Sequence, residues 1–153
     1  MEKRVKKRHA GFAAVCALCA IAAAGLLYAA VFRAPGGKDA IVEYVQTNQE
    51  SLERFAAGLL EEPSEDAEYH GWRAACYPEA RMVEFLTEGT GMGPSTTYEG
   101  FYYSEEDRPV GFQGTELDFT RDGDGWSWEE EDGDNRERTE RITARWYWFQ
   151  MSF

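Results

Sequence analysis

The chain has 153 residues and a formal net charge of −12, but the total hides a division: residues 1–9 carry +4 and residues 33–153 carry −16. Nucleic-acid binding needs clustered Lys and Arg, and anionic lipid head groups repel a surface of this sign, so neither suits residues 33–153 as a partner. Nineteen aromatic residues in that stretch argue against a disordered chain, and its 121 residues suffice to bury one core.

Residues 1–9 form a basic tail with Lys3, Arg4, Lys6, Lys7 and Arg8, and Ala10 to Phe32 then runs twenty-three residues without a charge. As a helix this run is about 34 Å long, enough to cross a hydrocarbon core of about 30 Å. Only Arg33 and Lys38 follow closely, so the basic excess places the tail in the cytoplasm and residues 33–153 outside. A cleaved signal peptide is the alternative, with Ala22-Ala23-Ala24 as the cleavage site, but the apolar run continues through Leu26, Leu27, Val31 and Phe32. Its length favours an uncleaved signal-anchor. The residues before Cys16 and Cys19 match a lipobox poorly, and Ala13, Ala17, Ala20 and Ala24 fall on one helical face where a second helix could approach.

Ala34-Pro35-Gly36-Gly37 reads as a hinge, with Gly37 or Asp39 capping a helix. Ile41, Val45, Leu52, Phe55 and Leu59 recur at helical spacing, interrupted by Asn48, with Glu43, Gln46, Glu50 and Glu53 opposite. Pro63 and its acidic neighbours end the helix. Beyond them the period changes. Strands are expected near Tyr69–Cys76, Arg81–Glu88, Thr97–Tyr103, Val110–Phe112, Glu116–Thr120, Trp126–Glu130 and Ile142–Met151, with loops at Gly89–Pro94 and Glu131–Glu140. Short turns between neighbours favour antiparallel pairing. The expected fold class is therefore α+β: a transmembrane helix over residues 10–32, then one amphipathic helix packed on an antiparallel meander sheet within 33–153. Cys76 is the sole thiol outside the apolar run, so no disulfide can form within the domain and Cys76 reads as a small core residue.

Candidate chemistry is sparse. Asp122-Gly123-Asp124, with Asp118, Glu129, Asp132 and Asp134 nearby, invites a calcium site, but an EF-hand pattern fails at Trp126, Ser127 and Gly133, and the segment reads as a hairpin turn. Trp126 and Trp128, and again Trp146 and Trp148, sit two apart and so share a strand face about 7 Å apart, spacing that suits stacking on a carbohydrate. Such aromatics more often form a core, and a strand apolar on both faces, as at Trp146 to Phe149, is expected to be central and covered twice or to leave one face for a partner. These four Trp residues are the candidate contact surface. His70 could serve Cys76 or a Ser as a base, but no nucleophile motif accompanies it, and Gly89-Thr90-Gly91-Met92-Gly93 lacks the Lys of a phosphate loop. No cofactor or metal motif is found. Paired carboxylates of a glycoside hydrolase are open in principle, with twenty-seven acids and no way to choose among them.

The strings Tyr98 to Ser104, Pro109 to Gly114, Asp122 to Trp128 and Trp146 to Phe149 resemble a group of small uncharacterised single-pass or secreted proteins of clostridial-type Gram-positive bacteria. The resemblance implies a bacterial membrane setting and supplies no activity and no catalytic residue. The expected function is a non-enzymatic, membrane-anchored extracytoplasmic binding or interaction domain, inserted in the bilayer through residues 10–32, with a protein or a carbohydrate as partner. The alternatives are a cell-envelope hydrolase using paired carboxylates and a structural subunit of a membrane complex contacting through Ala13 to Ala24.

Overall fold

The computed structural model describes residues 37–92 and 95–153, and the tail and apolar run expected at 1–9 and 10–32 lie outside them. Helix α1 spans Lys38–Glu61 and buries Ile41, Val45, Leu52, Ala56 and Leu59 along one stripe. Gly37 caps it at φ 81° without a side-chain bond, and Asp39 sits in the first turn, where a negative charge complements the helix dipole. Asn48 interrupts the backbone as well as the pattern. Its angles (φ −112°, ψ 16°) leave the helical region, its Nδ2 donates to the Tyr44 carbonyl at 2.9 Å, and Ser51 Oγ donates to the Asn48 carbonyl. Such local side-chain bonds compete with the helical ladder and account for the kink. Phe55 is only half-buried, at the edge of the stripe, where its ring leans on Tyr69 at 4.9 Å.

Eight strands follow: β1 (Glu68–Tyr69), β2 (Trp72–Tyr77), β3 (Met82–Met92), β4 (Ser95–Ser104), β5 (Thr120–Asp122), β6 (Gly125–Glu129), β7 (Arg136–Thr143) and β8 (Trp146–Ser152). They form one antiparallel sheet in the order β1-β2-β3-β4-β8-β7-β6-β5. The α+β class holds, with one helix on an eight-stranded antiparallel sheet. It is not one continuous meander: two four-stranded meanders meet at the β4–β8 pair, joined by a crossover through residues 105–119.

Several boundaries differ from the sequence reading for local reasons. The Tyr69–Cys76 run is a hairpin, because His70 (φ 51°) and Gly71 (φ 86°) form the paired left-handed turn that joins β1 to β2. The Ile142–Met151 run is likewise divided, with Arg145 at φ 64° between β7 and β8. Gly89 to Met92 extends β3, and β7 occupies half of the expected Glu131–Glu140 loop. Val110–Phe112 is no strand. It leads into a 3₁₀ turn at Phe112–Gly114, and the strand expected at Glu116–Thr120 begins only at Thr120.

Alternation sorts the side chains into two layers. On the helix side Phe85, Phe101, Tyr103, Trp146 and Trp148 pack beneath α1, with Phe85 stacked on Phe101 at 4.7 Å. On the opposite side Met82, Tyr102, Tyr147, Phe149 and Met151 form a second core, which the crossover closes with Val110 and Phe112. The central strand β8 is therefore apolar on both faces because both are covered. Trp146 has no exposed surface and touches the rings of Phe85, Phe101 and Tyr103 within 6.1 Å. Trp146→Ala should cost roughly 3–5 kcal/mol, read as a lower midpoint in urea unfolding at unchanged slope.

Candidate functional site

The crossover is irregular chain laid on a sheet, and buried irregular chain has backbone donors to satisfy. Three side chains from the sheet supply the acceptors. The Val110 N–H donates to Tyr102 Oη at 3.1 Å. The Tyr102 hydroxyl donates on to Thr139 Oγ1 at 2.9 Å, and Thr139 to the Trp148 carbonyl at 2.9 Å, so the direction of each proton in this chain is fixed. Two residues further on, the Phe112 N–H donates to Glu137 Oε2 and the Gln113 N–H to Glu84 Oε2, both at 2.9 Å. Gln113 adopts φ 57°, and its left-handed turn points consecutive N–H groups at the two acids, as backbone nests do for anions.

Both carboxyls are deeply placed: Glu84 on β3 has 4% of its surface exposed and Glu137 on β7 has 2%. Burial pushes Glu84 up to about 7, against the pull of the Gln113 hydrogen bond. Burial pushes Glu137 up to about 8; the Phe112 N–H opposes the shift and the nearby Glu84 charge adds to it. Glu137 Oε1 is buried without a hydrogen-bond partner among the described residues, a placement that suits a protonated carboxyl. The two acids bind adjacent amides, which puts their oxygens within about 10 Å of each other.

Beside the turn, the sheet face away from α1 holds a cavity of about 530 Å³. Ala75, Glu84 and Leu86 belong to its strand walls, Tyr77, Tyr98, Phe112 and Phe153 supply rings, and Arg73 and Gln113 are exposed at its edge. Tyr98 stacks on Phe112 at 5.4 Å, and Phe153, 37% exposed, meets both rings edge-on at 6.0 Å. The Phe153 N–H donates to the Thr96 carbonyl at 3.0 Å and holds the C-terminal ring in place. Burial raises Tyr77 to about 12, the Glu84 charge adds to the shift, and Arg73 opposes it.

The expected contact surface is distributed otherwise. Trp146 and Trp148 lie in the core under α1, with 0 and 5% of their surface exposed, and offer no free ring face to a sugar. Trp148 Nε1 donates to Glu99 Oε1 at 2.8 Å, and the Lys38 ammonium sits 4.9 Å from its ring. Trp126 and Trp128 are half-buried on the opposite face, at the margin of the second core, and Arg121 lies over Trp126 at 4.4 Å. His70 Nδ1 lies 3.1 Å from the Tyr44 hydroxyl in the β1–β2 turn, whereas Cys76, near the far end of β2, has its thiol on the Leu59 carbonyl at 3.4 Å; no dyad forms. Asp122-Gly123-Asp124-Gly125 makes the β5–β6 turn, with Asp122 paired to Arg138, and no three metal-binding side chains gather among the described residues. Among these residues no helix is long and apolar enough to cross a membrane.

Two acids do converge. Glu84 lines the cavity and Glu137 does not, although consecutive amides of the turn donate to the two. Nothing marked these two among the acids in the sequence except parity. Glu84 alternates with Val83 and Phe85, and Glu137 falls on the inward register of a strand whose polarity concealed it.

Because both carboxyls are raised, the folded chain holds more protons than the unfolded chain between about pH 4.5 and pH 8. Their contribution to stability is complete below about 4.5 and is lost as the pH climbs through 7 and 8. Denaturant unfolding should show stability falling by on the order of a few kcal/mol from about pH 5 to about pH 8, and a Glu84→Gln, Glu137→Gln chain should show a flatter profile. Tyr102→Phe strands the Val110 donor and should cost about 1–3 kcal/mol in the same assay.

The chain matches no protein-family model, no curated protein and no solved structure.

Proposed function

We propose that this chain is a membrane-anchored, extracytoplasmic binding domain, non-enzymatic, whose ligand site is the cavity beside the Phe112–Gly114 turn. The observation that favours this reading is the cavity itself: a recess of about 530 Å³ on a rigid sheet, with Tyr77, Tyr98, Phe112 and Phe153 around the polar ends of Arg73 and Glu84. Ligand sites are of this size and combine aromatic walls with convergent polar groups, supplied here by Arg73, Glu84, Thr96 and Gln113. The anchor rests on the uncharged run Ala10 to Phe32 and the basic residues before it.

Ligand-observed NMR on the full chain in a non-ionic detergent, against a library of small organic molecules, should find compounds that compete for one site. Tyr98→Ser should abolish their saturable signal and leave the circular dichroism of the folded sheet in place. Unchanged binding in that variant, or no saturable binding at all, would remove the cavity from the functional reading. In intact protoplasts, added protease should digest residues 33–153 while the chain sediments with membranes; protection of the C-terminal part would reverse the orientation.

A further inference from the structure

Glu84 has an unusual setting for an acid in a recess. Its Oε2 takes the Gln113 N–H, and it makes no ion pair among the described residues. The groups that face it are Arg73 and Tyr77 from β2, Tyr98 and Tyr102 from β4, Glu137 from β7, and Gln113 from the turn. Of these only Arg73 is cationic, and it stands exposed at the rim, where its charge acts on the Tyr77 phenol. A buried carboxyl that makes no ion pair is complementary to a cation that brings its own N–H donors.

We propose that the cavity takes an organic ammonium ion, its charged nitrogen at Glu84 and its apolar body against Tyr77, Tyr98 and Phe112. The inference rests on the cavity being the ligand site argued above. The neighbouring rings favour the same ligand, because the negative faces of aromatic rings attract a cation within about 6 Å. So does the long-range field: residues 33–153 carry −16, which draws cations toward the recess and repels anions. The ligand needs the charged form of Glu84, so near neutral pH its binding expels a proton from that carboxyl to solvent and changes no other bond.

Calorimetric titration of the full chain in a non-ionic detergent can compare phenethylammonium chloride with phenethyl alcohol, which differs mainly in charge. At about pH 8 the cation should bind at least roughly tenfold tighter than the alcohol, and its affinity should fall as the pH drops below about 7. Glu84→Gln keeps an acceptor for the Gln113 N–H and should bring the cation down to the level of the alcohol, with the dichroism spectrum unchanged. The ratio of cation to alcohol on the unmodified chain tests the idea without any variant. Equal affinities for the two probes, or full cation affinity in Glu84→Gln, would overturn the proposal. If neutral compounds bind in a Tyr98-dependent way and the cation does not, the ammonium assignment fails and the cavity stands; if nothing binds, both fall.

Discussion

Three buried acceptors, Tyr102 Oη, Glu137 Oε2 and Glu84 Oε2, take the N–H groups of Val110, Phe112 and Gln113, and the rest of the structure depends on them. A sheet this rich in aromatic residues needs cover on both faces, and the chain has a single described helix to give. The second cover is a segment without regular secondary structure, which brings unpaired amides into an apolar layer. Hydroxyl and carboxyl groups rising from β4, β7 and β3 meet those amides, and Val110 and Phe112 can then close the layer above Tyr102, Tyr147 and Phe149. The same arrangement leaves the cavity where cover gives out, over the outer strands β2 and β3.

This dependence explains which parts of the fold were legible in the sequence. The helix was readable because Ile41, Val45, Leu52 and Leu59 face the same way, and Asn48 marked its kink by breaking the pattern. Strand β8 was readable because Trp146 to Phe149 left no polar face, which only a doubly covered central strand can tolerate. Strand β7 was hidden. Its inward positions are Glu137 and Thr139, which bond the crossover and the Tyr102 hydroxyl, so Arg136 to Glu140 reads as part of a charged loop. The turn at Arg145 was obscured because Arg does not advertise a left-handed conformation as Gly or Asn would, and at His70 the one such signal was the following Gly71.

The candidate site was less legible than the fold, for a related reason. Tryptophan is the residue that stacking on a ligand suggests first, and here Trp146 and Trp148 are consumed by the core beneath α1. The rings left at the cavity are Tyr77, Tyr98, Phe112 and Phe153, drawn from two strands, the crossover and the C terminus, positions that no spacing rule connects. Glu84 could not be singled out from twenty-six other acids until β3 assigned it an inward register.

The neighbour relation between β4 and β8 has a consequence for how the molecule is made. Phe101 and Trp148 are registered partners in the middle of the sheet, yet forty-seven positions separate them along the chain. The first meander therefore waits with a bare hydrogen-bonding edge until β8 arrives to occupy it. Pairing over such separations is slow, and an unfilled edge recruits other chains. Closing this sheet is therefore a late event in its assembly, and a molecule without β8 would offer β4 to its neighbours instead.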